Sequence, residues 1–136
     1  DYFWAERRFT RALRFVPGHP LATAGLAHAQ LGAGLDLSAS LTLRSLFTYQ
    51  PEMIDVDFAS ELVPNRPRLL SSIERIEKRL EAERHRALRG FLYAYVGRLV
   101  DDRAVIERGL ATMESASPDD PLLPLLKAIW LAPPTK

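Results

Sequence analysis

The chain has 136 residues, 47% of them hydrophobic and 26% charged, a composition for one folded domain and not for a disordered segment. Eighteen basic side chains stand against 17 acidic ones, a formal net charge of +1, which argues against the one-signed footprint that nucleic-acid or membrane binding draws on. With no cysteine, the chain can form no disulfide, thiolate zinc site or cysteine nucleophile, and no apolar run reaches the ~18–20 residues of a membrane span.

Residues 1–16 read as an amphipathic helix. Tyr2, Ala5, Phe9, Ala12, Leu13 and Val16 recur at spacings of three and four, with Arg7, Arg8, Arg11 and Arg14 largely outside the stripe. Pro17-Gly18-His19-Pro20 stops it and opens a second helix over 20–33, rich in small residues that let a neighbour approach closely. Gly34 makes the next turn, and a third helix over 36–50 ends at Pro51. Residues 52–64 read as a short helix or irregular segment closed by Pro64-Asn65-Arg66-Pro67. From Leu69 the pattern Leu69, Leu70, Ile73, Ile76, Leu80 is helical, with a break expected near Glu81–Arg84, where the stripe lapses into charge. A helix follows through Gly90-Phe91-Leu92-Tyr93 to a turn at Gly97. Its partner is expected over Asp101–Met113 with Ala104 and Leu110 inward, and a last helix over Leu122–Leu131 closes the chain.

These segments repeat. Ala5, Phe9, Ala12, Leu13 and Pro17 are matched 34 residues later by Ala39, Leu43, Leu46, Phe47 and Pro51. Asp1-Tyr2-x-x-Ala5-x-x-x-Phe9-x-x-Ala12-Leu13-x-x-x-Pro17 resembles the second helix of a tetratricopeptide (TPR) repeat. Leu26-Ala27 stands where that family has Leu-Gly, and Gly90-x-x-Tyr93 matches its Gly-x-x-Tyr. Thr23 and Gln30 occupy its aromatic positions. Gly34 to Gly97 spans 63 residues, Ala39 to Ala104 65 and Pro51 to Pro118 67, against 68 for two whole repeats, so the middle unit is short and the later one carries insertions. The resemblance implies an all-α stack of antiparallel helical hairpins in a right-handed superhelix of seven or eight helices. Its parts are a second helix of a truncated repeat (1–17), a full repeat (20–51), a divergent one (52–82), one with insertions (83–118) and a capping helix (119–131).

No constellation carries catalysis. His19, His28 and His85 lack the spacing of a metal motif, and no serine sits in a Gly-x-Ser-x-Gly turn. Asp101-Asp102 and Asp119-Asp120 precede helices, where carboxylates cap free amides. Arg84, His85, Arg86 and Arg89 form a basic cluster interleaved with Glu74, Glu77, Glu81 and Glu83, for which a solvated ion-pair face is the default. No metal, cofactor or enzymatic activity is expected.

Function is expected to lie in the curved surface of the stack. In the TPR family the first helix of each pair lines a concave peptide groove. The resemblance places there Leu21, Ala24, His28, Leu31 and Gly32 from one helix, and Arg84, Ala87, Phe91, Ala94 and Tyr95 from another. Phe91 and Tyr95, four apart, share a helical face and suit an anchor, or else pack into the next repeat. Family members that clamp C-terminal carboxylates use Lys and Asn in places that here hold Ala24, His28, Ala87 and Phe91, so that subtype is set aside. The expected partner is a protein or peptide, with no membrane and with nucleic acid disfavoured. Self-association into a homo-oligomer through the N-terminal helix is the alternative. A third class, RNA or another acidic ligand on Arg84, Arg86 and Arg89, predicts salt-sensitive binding. Asp1 falls inside the repeat pattern, so the chain reads as a piece of something longer. Upstream sequence or another copy is then expected to cover Tyr2, Ala5, Phe9 and Ala12, and a fully buried Phe9 in a monomer would overturn that.

Overall fold

A computed structural model describes residues 1–133. Helices supply all of its regular structure among these residues: α1 (Tyr2–Phe15), α2 (Pro20–Gly32), α3 (Asp36–Tyr49), α4 (Arg66–Glu77), α5 (Arg86–Val100), α6 (Arg103–Ala116) and α7 (Leu123–Trp130). Two 3-10 turns, Pro51–Asp55 and Ser60–Leu62, fill the irregular stretch between α3 and α4. The fold is all-α and repeat-like, with helices packed on their sequence neighbours: α1 on α2, α2 on α3, α5 on α6, α6 on α7. Two compact units, Asp1–Ser72 and Ile73–Lys136, divide within α4.

In the first unit α1 starts at an Asp1 cap, whose carboxylate accepts from the Phe3 amide at 2.9 Å. His19 caps α2 in the same way, its Nδ1 accepting from Ala22 at 3.3 Å, with Pro20 fixing φ at the first helical position. Gly34, at φ +81°, takes the left-handed turn before α3. The small residues of α2 are seats for aromatic rings. A side chain at Gly25 would collide with the Phe9 ring, and one at Gly32 with Tyr2. Phe9 and Tyr2 are thus half-buried against α2, with no fully buried residue anywhere in α1. Phe9 is therefore neither bare nor fully enclosed. The core of this unit lies between α2 and α3, where Leu31, Ala39, Leu43, Leu46 and Phe47 are almost wholly buried. Each large aliphatic or aromatic side chain there contributes about 1.5–3 kcal/mol of burial. Thr42 donates to Gln30 at 2.7 Å across the same pair, and the Gln50 amide donates to the Gly18 carbonyl at 2.8 Å, tying the end of α3 to the α1–α2 turn.

In the second unit α5 and α6 form a hairpin whose backbones touch. A Cβ on Gly109 would lie 2.5 Å from the Ala94 nitrogen, and one on Gly90 2.8 Å from the Gly109 carbonyl oxygen. Gly97 belongs to this crossing and not to a turn: it lies buried within α5, against Val105 and Ile106. The turn is made by Asp101, at φ +58°, a left-handed conformation that aspartate tolerates better than most residues. Asp102 then caps α6, accepting from Val105 at 3.3 Å. The turn thus lies four residues after Gly97, the position at which it was expected. Ala104, expected inward, is exposed in the first turn of α6, whereas Leu110 is buried. Chain between Lys78 and His85 separates α4 from α5, close to the expected break at Glu81–Arg84. Salt bridges Glu77–Arg108 (2.9 Å) and Glu114–Lys127 (2.7 Å) link α4 to α6 and α6 to α7 at the surface, where each adds at most about 1 kcal/mol.

Candidate functional site

The ten residues expected to line a groove divide between the units, five in each. In α2, Ala24, His28 and Leu31 are 1–2% exposed and Leu21 is 49% exposed. In and before α5, Arg84 is exposed, Ala87 half-buried, and Phe91 and Tyr95 buried. Phe91 stacks on Trp130 with ring centroids 6.2 Å apart, and Tyr95 meets the same indole at 5.8 Å. The two aromatic residues do share one face, and α7 covers it. They are core side chains of this unit: of the two readings, an open anchor or packing against a following element, the packed one describes them. Ala94 and Gly32, placed in the same groove, are buried too. The signal missed was Trp130: an apolar face four residues wide looks alike whether a ligand or a distant helix covers it.

His28 is buried with a defined partner. Its Nδ1 donates to the Leu62 carbonyl at 2.7 Å, and its ring meets the Phe58 edge at a centroid distance of 4.9 Å. One imidazole thus holds the irregular segment after α3 against α2. Burial pushes its pKa down to about 4, against the opposing effect of the hydrogen bond to Leu62. Beside it a small cleft of about 70 Å³ opens between α1, α2 and residues 61–64.

The basic cluster at the start of α5 is engaged in holding its own loop. Arg86 pairs with Glu81 at 3.0 Å, and Arg89 donates to the carbonyls of Ala82 (3.0 Å) and Arg84 (2.7 Å). Those two guanidiniums shape the α4–α5 connection, where His85 adopts φ +59°.

The outer face of α1 is the feature that periodicity alone did not single out. Of its inner stripe Tyr2, Ala5, Phe9 and Leu13 are half-buried while Ala12 and Val16 are exposed, and on the other side Phe3, Trp4 and Phe15 are 57, 63 and 81% exposed. With 3.6 residues per turn, these three and all four arginines of the helix fall within one arc of about 140°. No carboxylate lies in that arc, and none pairs with Arg7, Arg8, Arg11 or Arg14 among the described residues. The Arg7 guanidinium stands 5.6 Å from the Trp4 ring centre, a cation–π contact on open surface. The arrangement can supply apolar contact area and guanidinium donors side by side.

Protein-family models, curated proteins and solved structures were compared with the chain, and none matches it.

Proposed function

We propose that the chain is a non-catalytic protein-interaction module of the TPR-like helical-hairpin type. What carries the reading is the outer face of α1. Three large aromatic side chains there stay exposed beside four uncompensated arginines, on a helix whose other face is packed. Arginine and aromatic residues are the types enriched at the energetic centres of protein interfaces. Supporting it are the 34-residue recurrence from Ala5 to Ala39 and the packing of α1 on α2, α2 on α3, α5 on α6 and α6 on α7, both features of stacked hairpins that serve as scaffolds. The working surface in this reading is α1 itself; the buried α5 aromatics hold the scaffold.

Affinity capture from lysate of the source cell tests this. Wild-type chain runs beside a Trp4→Ala/Phe15→Ala variant whose circular dichroism is unchanged. The expected result is a stoichiometric partner retained by the wild type and lost by the variant. A chain that captures nothing, and instead forms a discrete oligomer in analytical ultracentrifugation, would replace this reading with structural self-association.

A further inference from the structure

We propose that the outer face of α1 receives an acidic amphipathic helix of another protein, with carboxylates at its centre and apolar side chains at both ends. This rests on the interaction-module reading and names the partner's chemistry. Phe3, Arg7, Arg11 and Phe15 stand four apart and form one ridge along the helix, of the kind that interdigitates when two helices pack. The ridge reads aromatic, guanidinium, guanidinium, aromatic over about 18 Å, at 1.5 Å per residue. Trp4 and Arg8 flank it. A partner helix laid along this ridge places carboxylates over Arg7 and Arg11 and apolar residues against the two phenyl rings.

Charge complementarity selects the partner. The unpaired arginines exclude a neutral or basic occupant, because burying them without counter-charge costs more than the aromatic contacts return. The footprint is one helix long. Outside α1 the first unit carries three arginines against six carboxylates, four of them between Glu52 and Glu61, so its basic character is confined to the ridge, which disfavours a wide polyanion or anionic bilayer. A second copy is disfavoured as well: none of the described helices carries two carboxylates four residues apart.

The test uses two alanine-based helical peptides with Leu-Glu-Glu-Leu or Leu-Lys-Lys-Leu at positions four apart. Trp4 emission is the readout, since the other tryptophan, Trp130, is only 3% exposed. The Glu peptide should blue-shift the emission saturably, with affinity falling at least fivefold between 50 and 500 mM salt, and the Lys peptide should have no effect. An Arg7→Glu/Arg11→Glu variant should lose at least tenfold in affinity for the Glu peptide and bind the Lys peptide instead. Both side chains are exposed and make no salt bridge, so the variant should keep its helicity, and the swap in preference excludes simple unfolding. Equal response to both peptides overturns the proposal. So does a Trp4 shift driven by phosphatidylserine vesicles or oligo(dT) but not by the Glu peptide, or by raised protein concentration alone. If lysate capture succeeds yet the Arg7→Glu/Arg11→Glu variant retains the partner equally, the acidic-helix proposal fails while the interaction module stands.

Discussion

His28 is neutral in the fold because desolvation outweighs the hydrogen bond that would favour its charged form. In the unfolded chain the same imidazole titrates near 6.5. Between pH 6.5 and 4 the unfolded state therefore binds a proton that the folded state does not. Its contribution to stability is complete above the unfolded value and falls as pH drops toward 4, by about 3 kcal/mol over that window. His28→Asn keeps a donor for the Leu62 carbonyl and removes the titration. Urea midpoints measured from pH 4 to 7 should flatten in the variant across this window, leaving only the slope due to carboxylates. An unchanged slope would show that the imidazole charges without leaving its site. Trp130 is the other residue on which a neighbourhood depends, since it covers both Phe91 and Tyr95. Trp130→Ala should cost about 3–5 kcal/mol, seen as a lower urea midpoint.

At the level of elements, the α5–α6 hairpin and the α1–α2 pair are built on different contacts. Across α5 and α6 the obstacle to any added side chain is backbone, at Gly109 and Gly90; across α1 and α2 it is a ring that can turn away. Gly109→Ala should therefore destabilise by about 1–2 kcal/mol, overpacking exceeding the gain in helix propensity. Gly25→Ala should cost less and instead loosen α1, which a fall in the protection of its amides would reveal. The helices were legible in the sequence because each buries a stripe at 3.6 periodicity, and their ends because Pro20, Gly34 and Asp102 act locally. Residues 52–64 read as a short helix or an irregular segment; they hold two 3-10 turns, the second tied to α2 by His28. What was not legible depends on distant chain. Glycine serves both turns and close crossings, so Gly97 reads as a turn in the sequence, and only the position of Val105 decides between them. Phe91 and Tyr95 looked available because α7, which covers them, lies beyond the helix whose pattern was being read.

Across the whole molecule, burial is uneven in a way that sets the order of opening. α1 has no buried residue, while α5 has an unbroken buried run from Gly90 to Gly97. Amides held only by exposed elements exchange through local opening, and those in the core wait for global unfolding. Hydrogen exchange should accordingly run fastest in α1 and slowest in the centre of α5. Protection of α1 equal to that of α5 in the isolated chain would mean that its outer face is already covered, by another copy. An added acidic helix that binds the ridge should slow exchange in α1 and leave α5 unchanged.

The crossing of α5 and α6 also constrains how this sequence can drift. Most core positions can absorb an enlarged neighbour by shrinking in turn. At Gly90 and Gly109 the facing atoms are backbone and the residues are already the smallest available, so no second-site change there can make room. A saturation library of these two positions should contain almost no compensated pairs, and the hairpin's closeness is a property that substitution can erode but not rebuild.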